Sequence, residues 1–168
     1  MLPKNIKLSK FFTLAEMLDS DTARAKGIDN THVTEAQIEA ATALAKNILD
    51  PVREHFGKPF SPTSWYRCEQ LERVLANSGF KRWCSVNRCN PTDTNWLKYF
   101  ATKQHPKGMA ADLQIAGVSA EDLFDFIHVN MNYDQLLLET NGRGAVWVHV
   151  SYNNAGNNRN CFNRNYKA

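Results

Sequence analysis

Residues 133–152 read Tyr-Asp-Gln-Leu-Leu-Leu-Glu-Thr-Asn-Gly-Arg-Gly-Ala-Val-Trp-Val-His-Val-Ser-Tyr. Two β-tending runs flank a short polar segment, Asn141-Gly142-Arg143-Gly144, whose residues suit a hairpin loop. Alternate side chains of a strand share a face. Gln135, Leu137 and Glu139 therefore point one way from the first strand. In the second, Val146, Val148 and Val150 form an apolar row, and Trp147, His149 and Ser151 lie on the other face. His149 is thus set on the side of the sheet where a polar site can form.

Upstream, Ala110 to Ile115 reads as a further strand, with Ala110, Asp112 and Gln114 on one face and Ala111, Leu113 and Ile115 on the other. A turn, Lys103-Gln-His-Pro-Lys-Gly108, precedes it and carries His105. Ser119-x-x-Asp122 opens a helix after it. Further back, Thr13-x-x-Glu16 opens a helix that stops near Gly27. Thr34-x-x-Gln37 opens the longest helical pattern, in which Ile38, Ala41, Leu44, Ile48, Val52 and Phe56 recur every three or four residues until Gly57. Pro51 inside it predicts a kink, because proline lacks an N–H and presses on the preceding turn. Residues 60–67 are Pro-bounded and β-tending. A helix is expected near Leu71 to Ala76, followed by a loop rich in Asn, Cys and Pro, and the Asn-rich tail from about residue 153 is expected to be irregular. The sum is an α+β fold: helices packed on a small, largely antiparallel sheet.

At 168 residues, 43% hydrophobic and 22% charged, the chain fits one globular domain. A formal charge of +3 is too weak to argue for nucleic acid. No apolar run reaches the roughly 18 residues of a spanning helix, so no membrane insertion is expected. The start, MLPKNIKLSKFFTLAEML, has no apolar core of signal-peptide length. Cys68, Cys84, Cys89 and Cys161 do not match zinc-ribbon spacing and read as ordinary thiols, with a Cys84–Cys89 disulfide open to an oxidising compartment.

Of the five histidines, His32, His55 and His128 suit surface or capping roles on helices. His105, Asp112 and His149 differ. Two imidazoles and one carboxylate, with a fourth position for water, make the open tetrahedral set of a catalytic zinc.

The segment K-Q-H-P-K-G-M-A-A-D (103–112) resembles the pattern S-x-H-x-x-G-x-A-x-D of the family-15 zinc metallopeptidases. These include D-Ala-D-Ala carboxypeptidases and dipeptidases and phage L-alanyl-D-glutamate endopeptidases. V-W-V-H-V-S-Y (146–152) is similar to the family's later W-x-H strand. The resemblance implies one Zn2+ per chain on His105, Asp112 and His149. S-W-Y-R (64–67) resembles the family's S-G-Y-R and implies substrate binding by Arg67, with Tyr66 beside it, and a catalytic role for Arg67 on a substrate carboxylate or carbonyl or on the developing oxyanion. The N-terminal part, residues 12–23 and 48–59, looks like the phage and prophage branch.

Three positions depart from the pattern: Lys103 stands for Ser, Trp65 for Gly, and Val146 where many members place the catalytic acid of E/D-x-x-H. The nearest acid is Glu139. Y-D-Q-L-L-L-E (133–139) resembles a hairpin strand of the related hedgehog signalling domains whose Glu lies beside zinc, so Glu139 is assigned as the base. The implied function is hydrolysis of peptidoglycan stem peptides by a monomer. The enzyme would be made in the host cytoplasm without a signal peptide and would act on the wall after release or as a virion part. A zinc-binding, non-catalytic module of hedgehog-like fold is the alternative.

Overall fold

The computed structural model describes residues 6–167. The N-terminal helical stretch is two helices, not one. Thr13 and Glu16 form a reciprocal capping box that opens α1 (Leu14–Leu18). Ser20 then takes an extended conformation and its hydroxyl accepts from Ala23 N–H, so it caps α2 (Asp21–Lys26) in its own right. Gly27, at φ 64°, closes α2.

The long helix begins with the Thr34–Gln37 capping box and runs as α3 (Glu35–Leu44), a π-helical turn (Ala45–Leu49) and α4 (Asp50–Phe56), closed by Gly57. The expected kink at Pro51 takes the form of that π turn. Pro51 cannot donate to Asn47, and its ring needs room there; widening the preceding turn, with Asp50 N–H bonded to the Ala45 carbonyl, provides it.

Beyond Cys68 the chain is far more helical than expected: α5 (Glu69–Leu75), α6 (Asn77–Val86) and α7 (Asp93–Ala101) follow in sequence. Only residues 87–92 form the Asn/Cys/Pro loop. A small second core explains the difference, with Phe80 and Cys84 of α6 packed on Trp96 and Tyr99 of α7. Gly79 permits the close approach, since a Cβ there would lie 2.5 Å from the Tyr99 hydroxyl oxygen. These rings are too few to give a long sequence periodicity, yet they suffice to fix a helical pair.

The sheet holds β1 (Ala110–Leu113), β2 (Gln135–Thr140), β3 (Val146–Ser151) and β4 (Cys161–Lys167), in the order β1-β3-β2-β4. β3 is antiparallel to both neighbours, and β4 runs parallel to β2. The tail is therefore a strand, contrary to the expectation of irregularity. Every residue of β4 is exposed, so no apolar alternation marks it; backbone pairing to β2 holds it, led in by the Cys161 N–H bond to the Asp134 carbonyl.

One face of the sheet carries Ala111, Leu113, Leu136, Leu138, Val148 and Val150 into the main core. Leu44, Ile48 and Val52 of the long helix meet them there, with Leu123, Phe124 and Ile127 of α8 (Ala120–Asn130). Ser119 caps α8 through Asp122 N–H, as its motif requires. The fold is α+β, and the opposite face of the sheet is left to the polar residues. Among the described residues no helix is long and apolar enough to cross a membrane.

Candidate metal centre

Strand register brings two of the three candidate ligands together. Asp112 of β1 lies directly opposite His149 of β3, on the face away from the main core. His105 enters from a 3-10 turn (His105–Lys107) just ahead of β1. Gly108 then turns the chain into the strand at φ 75°, where a Cβ would lie 2.4 Å from the Gln37 carbonyl oxygen. That turn is tied to α3 by Gln37 Nε2, which donates to the Pro106 carbonyl at 2.8 Å.

The three side chains converge within bonding range of one point. Asp112 Oδ1 is 3.0 Å from His149 Nδ1 and 3.3 Å from His105 Nε2, and the two imidazole nitrogens are 3.3 Å apart. All three residues are more than nine-tenths buried. Among the described residues this is the one group of histidine, cysteine and acidic side chains found able to hold a metal ion.

The surroundings set each ligand's orientation and charge. His105 Nδ1 lies 2.7 Å from the Trp65 carbonyl oxygen, which can only accept, so Nδ1 carries the proton and the Nε2 lone pair faces the centre. Burial, reinforced by the Arg67 charge, pushes the His105 pKa down, favouring the neutral imidazole that binds metal. Burial works against ionisation of Asp112, but His105 and Arg67 outweigh it and hold the carboxyl well below the usual range. The centre therefore presents metal-binding forms of both groups at neutral pH.

Arg67 is engaged with the protein on three sides. Nη2 donates to Asp112 Oδ2 at 2.5 Å, Nε to Ser64 Oγ at 2.8 Å, and Nη1 pairs with Glu72 Oε2 at 3.5 Å. It orients the carboxylate whose other oxygen faces the centre. Arg67→Met should therefore lower both stability and metal affinity. Breaking a buried ion pair costs about 3–5 kcal/mol, and loss of a group that orients a ligand weakens metal binding about 10- to 100-fold. Thermal melts with a competitive metal titration check this; unchanged melting and affinity would mean that Arg67 faces substrate alone.

Tyr66 does not line the pocket. Its ring lies in the main core and its hydroxyl donates to the His32 carbonyl at 2.8 Å, while Asn30 Nδ2 donates to the Tyr66 backbone carbonyl at 3.0 Å. The segment is stapled to the chain before α3 at this residue, which turns Tyr66 away from the metal face. Trp65, the departure from Gly, is fully buried and donates from Nε1 to the Gly108 carbonyl at 3.3 Å.

Glu139, also on the metal face, lines the same pocket of about 460 Å3 as His105, Asp112 and His149. It sits opposite Trp147 in the pairing of β2 with β3. Burial raises its pKa and the Asp112 charge adds to that, while the His149 charge opposes it. The pairing of β2 to β4 shifts register between Leu137 and Glu139, with the extra residue on β4. Two further pocket groups stand outside the sequence assignment: Glu72, on the first turn of α5, and the ammonium of Lys103. The Trp65 carbonyl was invisible to sequence reasoning because any residue has one; an acid five positions past Arg67 was a signal for Glu72. The four cysteines are free thiols and take no part in the centre.

Comparison with family models, with curated proteins and with solved structures gives no match. The buried His105–Asp112–His149 group, able to hold a metal ion, and the pocket beside it are therefore the ground for function.

Proposed function

We propose that this chain is a zinc-dependent peptidase that cleaves stem peptides of bacterial peptidoglycan, as a phage or prophage lysis protein. The observation that carries this reading is the size of the ligand triangle. Zinc bound by nitrogen and oxygen takes bonds of about 2.0–2.1 Å in a tetrahedron, whose edges are then about 3.3 Å. The sides of 3.0, 3.3 and 3.3 Å match one face of that tetrahedron. Two imidazoles with one carboxylate favour zinc over calcium or magnesium, which take oxygen-rich shells.

Zinc held there supplies a water of lowered pKa and a Lewis acid for the scissile carbonyl. Glu139, across the pocket, takes a proton from the attacking water and returns it to the leaving nitrogen. Its raised pKa suits both halves of that transfer. Arg67 keeps Asp112 ionised and aimed. The resemblance of residues 103–112 and 146–152 to the family-15 metallopeptidases supports the choice of substrate.

Purified muropeptides digested with the zinc-loaded protein and read by mass spectrometry should lose a terminal D-alanine or be cut between L-alanine and D-glutamate. Muropeptides left intact at high enzyme concentration would overturn the reading.

A further inference from the structure

Arg67, the residue the resemblance makes the substrate's partner, has its guanidinium on Ser64, Glu72 and Asp112. A different cation stands open in the same pocket. Lys103 is half-buried and lines the pocket with the three candidate ligands and Glu139. Its Nζ lies 4.0 Å from the centroid of the Tyr99 ring, which fixes the stem against α7. Among the described residues that ammonium has no hydrogen-bonded acceptor and no ion pair in contact; Glu72 and Glu139 act on it only as charges across the pocket. Its placement is firm: the Lys103 N–H bonds to the Phe100 carbonyl at the end of α7, two residues ahead of His105. Arg82 and Lys167 on the same wall add positive charge.

A half-buried ammonium with no anion in contact leaves room for a ligand to supply one. We infer that Lys103 is the carboxylate-binding group of this pocket, and that the substrate carries a free α-carboxylate on the residue that leaves. This rests on the peptidase reading and narrows its substrate. The same chemistry comes from two sources: the terminal carboxylate after a D-Ala-D-Ala bond, and the free α-carboxylate of a γ-linked D-glutamate after an L-Ala–D-Glu bond. Both place a carboxylate next to the scissile nitrogen.

The test is calorimetric and needs no turnover. Zinc-loaded protein carrying Glu139→Gln is titrated with N-acetyl-D-alanyl-D-alanine and its terminal amide, then with N-acetyl-L-alanyl-D-glutamate and its α-amide. One acid should bind about 10- to 100-fold more tightly than its amide, the factor a charge-assisted hydrogen bond contributes, and the pair that shows it names the source. Lys103→Met keeps the apolar stem over Tyr99, so zinc content and melting temperature should hold while the acid preference disappears. Lys103→Arg should retain the preference. Absence of binding by both acids, equal binding of acid and amide, or a preference that survives Lys103→Met would each overturn the assignment. The muropeptide digest separates the two readings: intact muropeptides with a Lys103-dependent acid preference remove the peptidase and leave the carboxylate site. Cleavage without that preference does the reverse.

Discussion

One zinc per chain should copurify or reload stoichiometrically with the wild-type protein, and both His105→Ala and His149→Ala should lose it. Apparent binding free energies of structural zinc sites are on the order of 10–16 kcal/mol at neutral pH. One protein ligand of three accounts for roughly 4 kcal/mol of that, so each variant should bind zinc about a thousandfold more weakly. Elemental analysis after dialysis against a weak chelator reads the stoichiometry, and competition with a chromophoric chelator reads the affinity. Cys84→Ser is the control, since the thiols lie outside the centre. Chelation should also lower the melting temperature of the wild type, because an ion that binds only the folded chain stabilises it by mass action. The shift should vanish in both histidine variants. Full zinc retention in both would dissolve the assignment and return attention to the cysteines.

The centre was legible in the sequence because strand parity and a tight turn determine it. His149 alternates with Val148 and Val150, which are fully buried, so its face followed from the pattern alone. Asp112 alternates with Ala111 and Leu113 in the same way. Caps were legible too: Thr34, Gly57 and Ser119 act by local hydrogen bonds that residue type announces. Long-range choices were not. Nothing in Arg67 says that its donors will reach Asp112, 45 residues away, and nothing in Tyr66 says that its hydroxyl will reach His32. β4 was missed because an exposed strand with four polar residues among its seven carries no period-two signal. α6 and α7 were missed because their core is a handful of rings and not a long stripe.

Replacing Glu139 by glutamine should leave fold and metal in place and reduce hydrolysis of the muropeptide substrate by about 10²- to 10⁴-fold, the range general-base catalysis contributes. The amide keeps the shape, but it cannot take a proton from water. The other acids near the pocket are poor substitutes. Asp112 is a candidate ligand and is bound to Arg67. Glu72 is buried against Arg67. Asp134 accepts two hydrogen bonds from the Arg159 guanidinium, at 2.8 and 2.6 Å, one from the Arg159 backbone N–H at 3.3 Å and one from Gln104; the Arg159 side chain first of all holds its carboxyl below the usual range. Stability supplies an independent sign. The folded-state pKa of Glu139 is raised, so above its unfolded value the ionised carboxylate weighs against the folded state. A neutral glutamine removes that burden at pH 7, and the melting temperature should hold or rise while activity falls. A base retained for chemistry at some cost to the fold has this signature; a glutamate that merely ends a strand predicts unchanged turnover. Measured on one preparation, kcat/KM, zinc content and melting temperature separate the two. Near-normal turnover with zinc intact would remove Glu139 as the base and pass that role to another acid, such as Asp134.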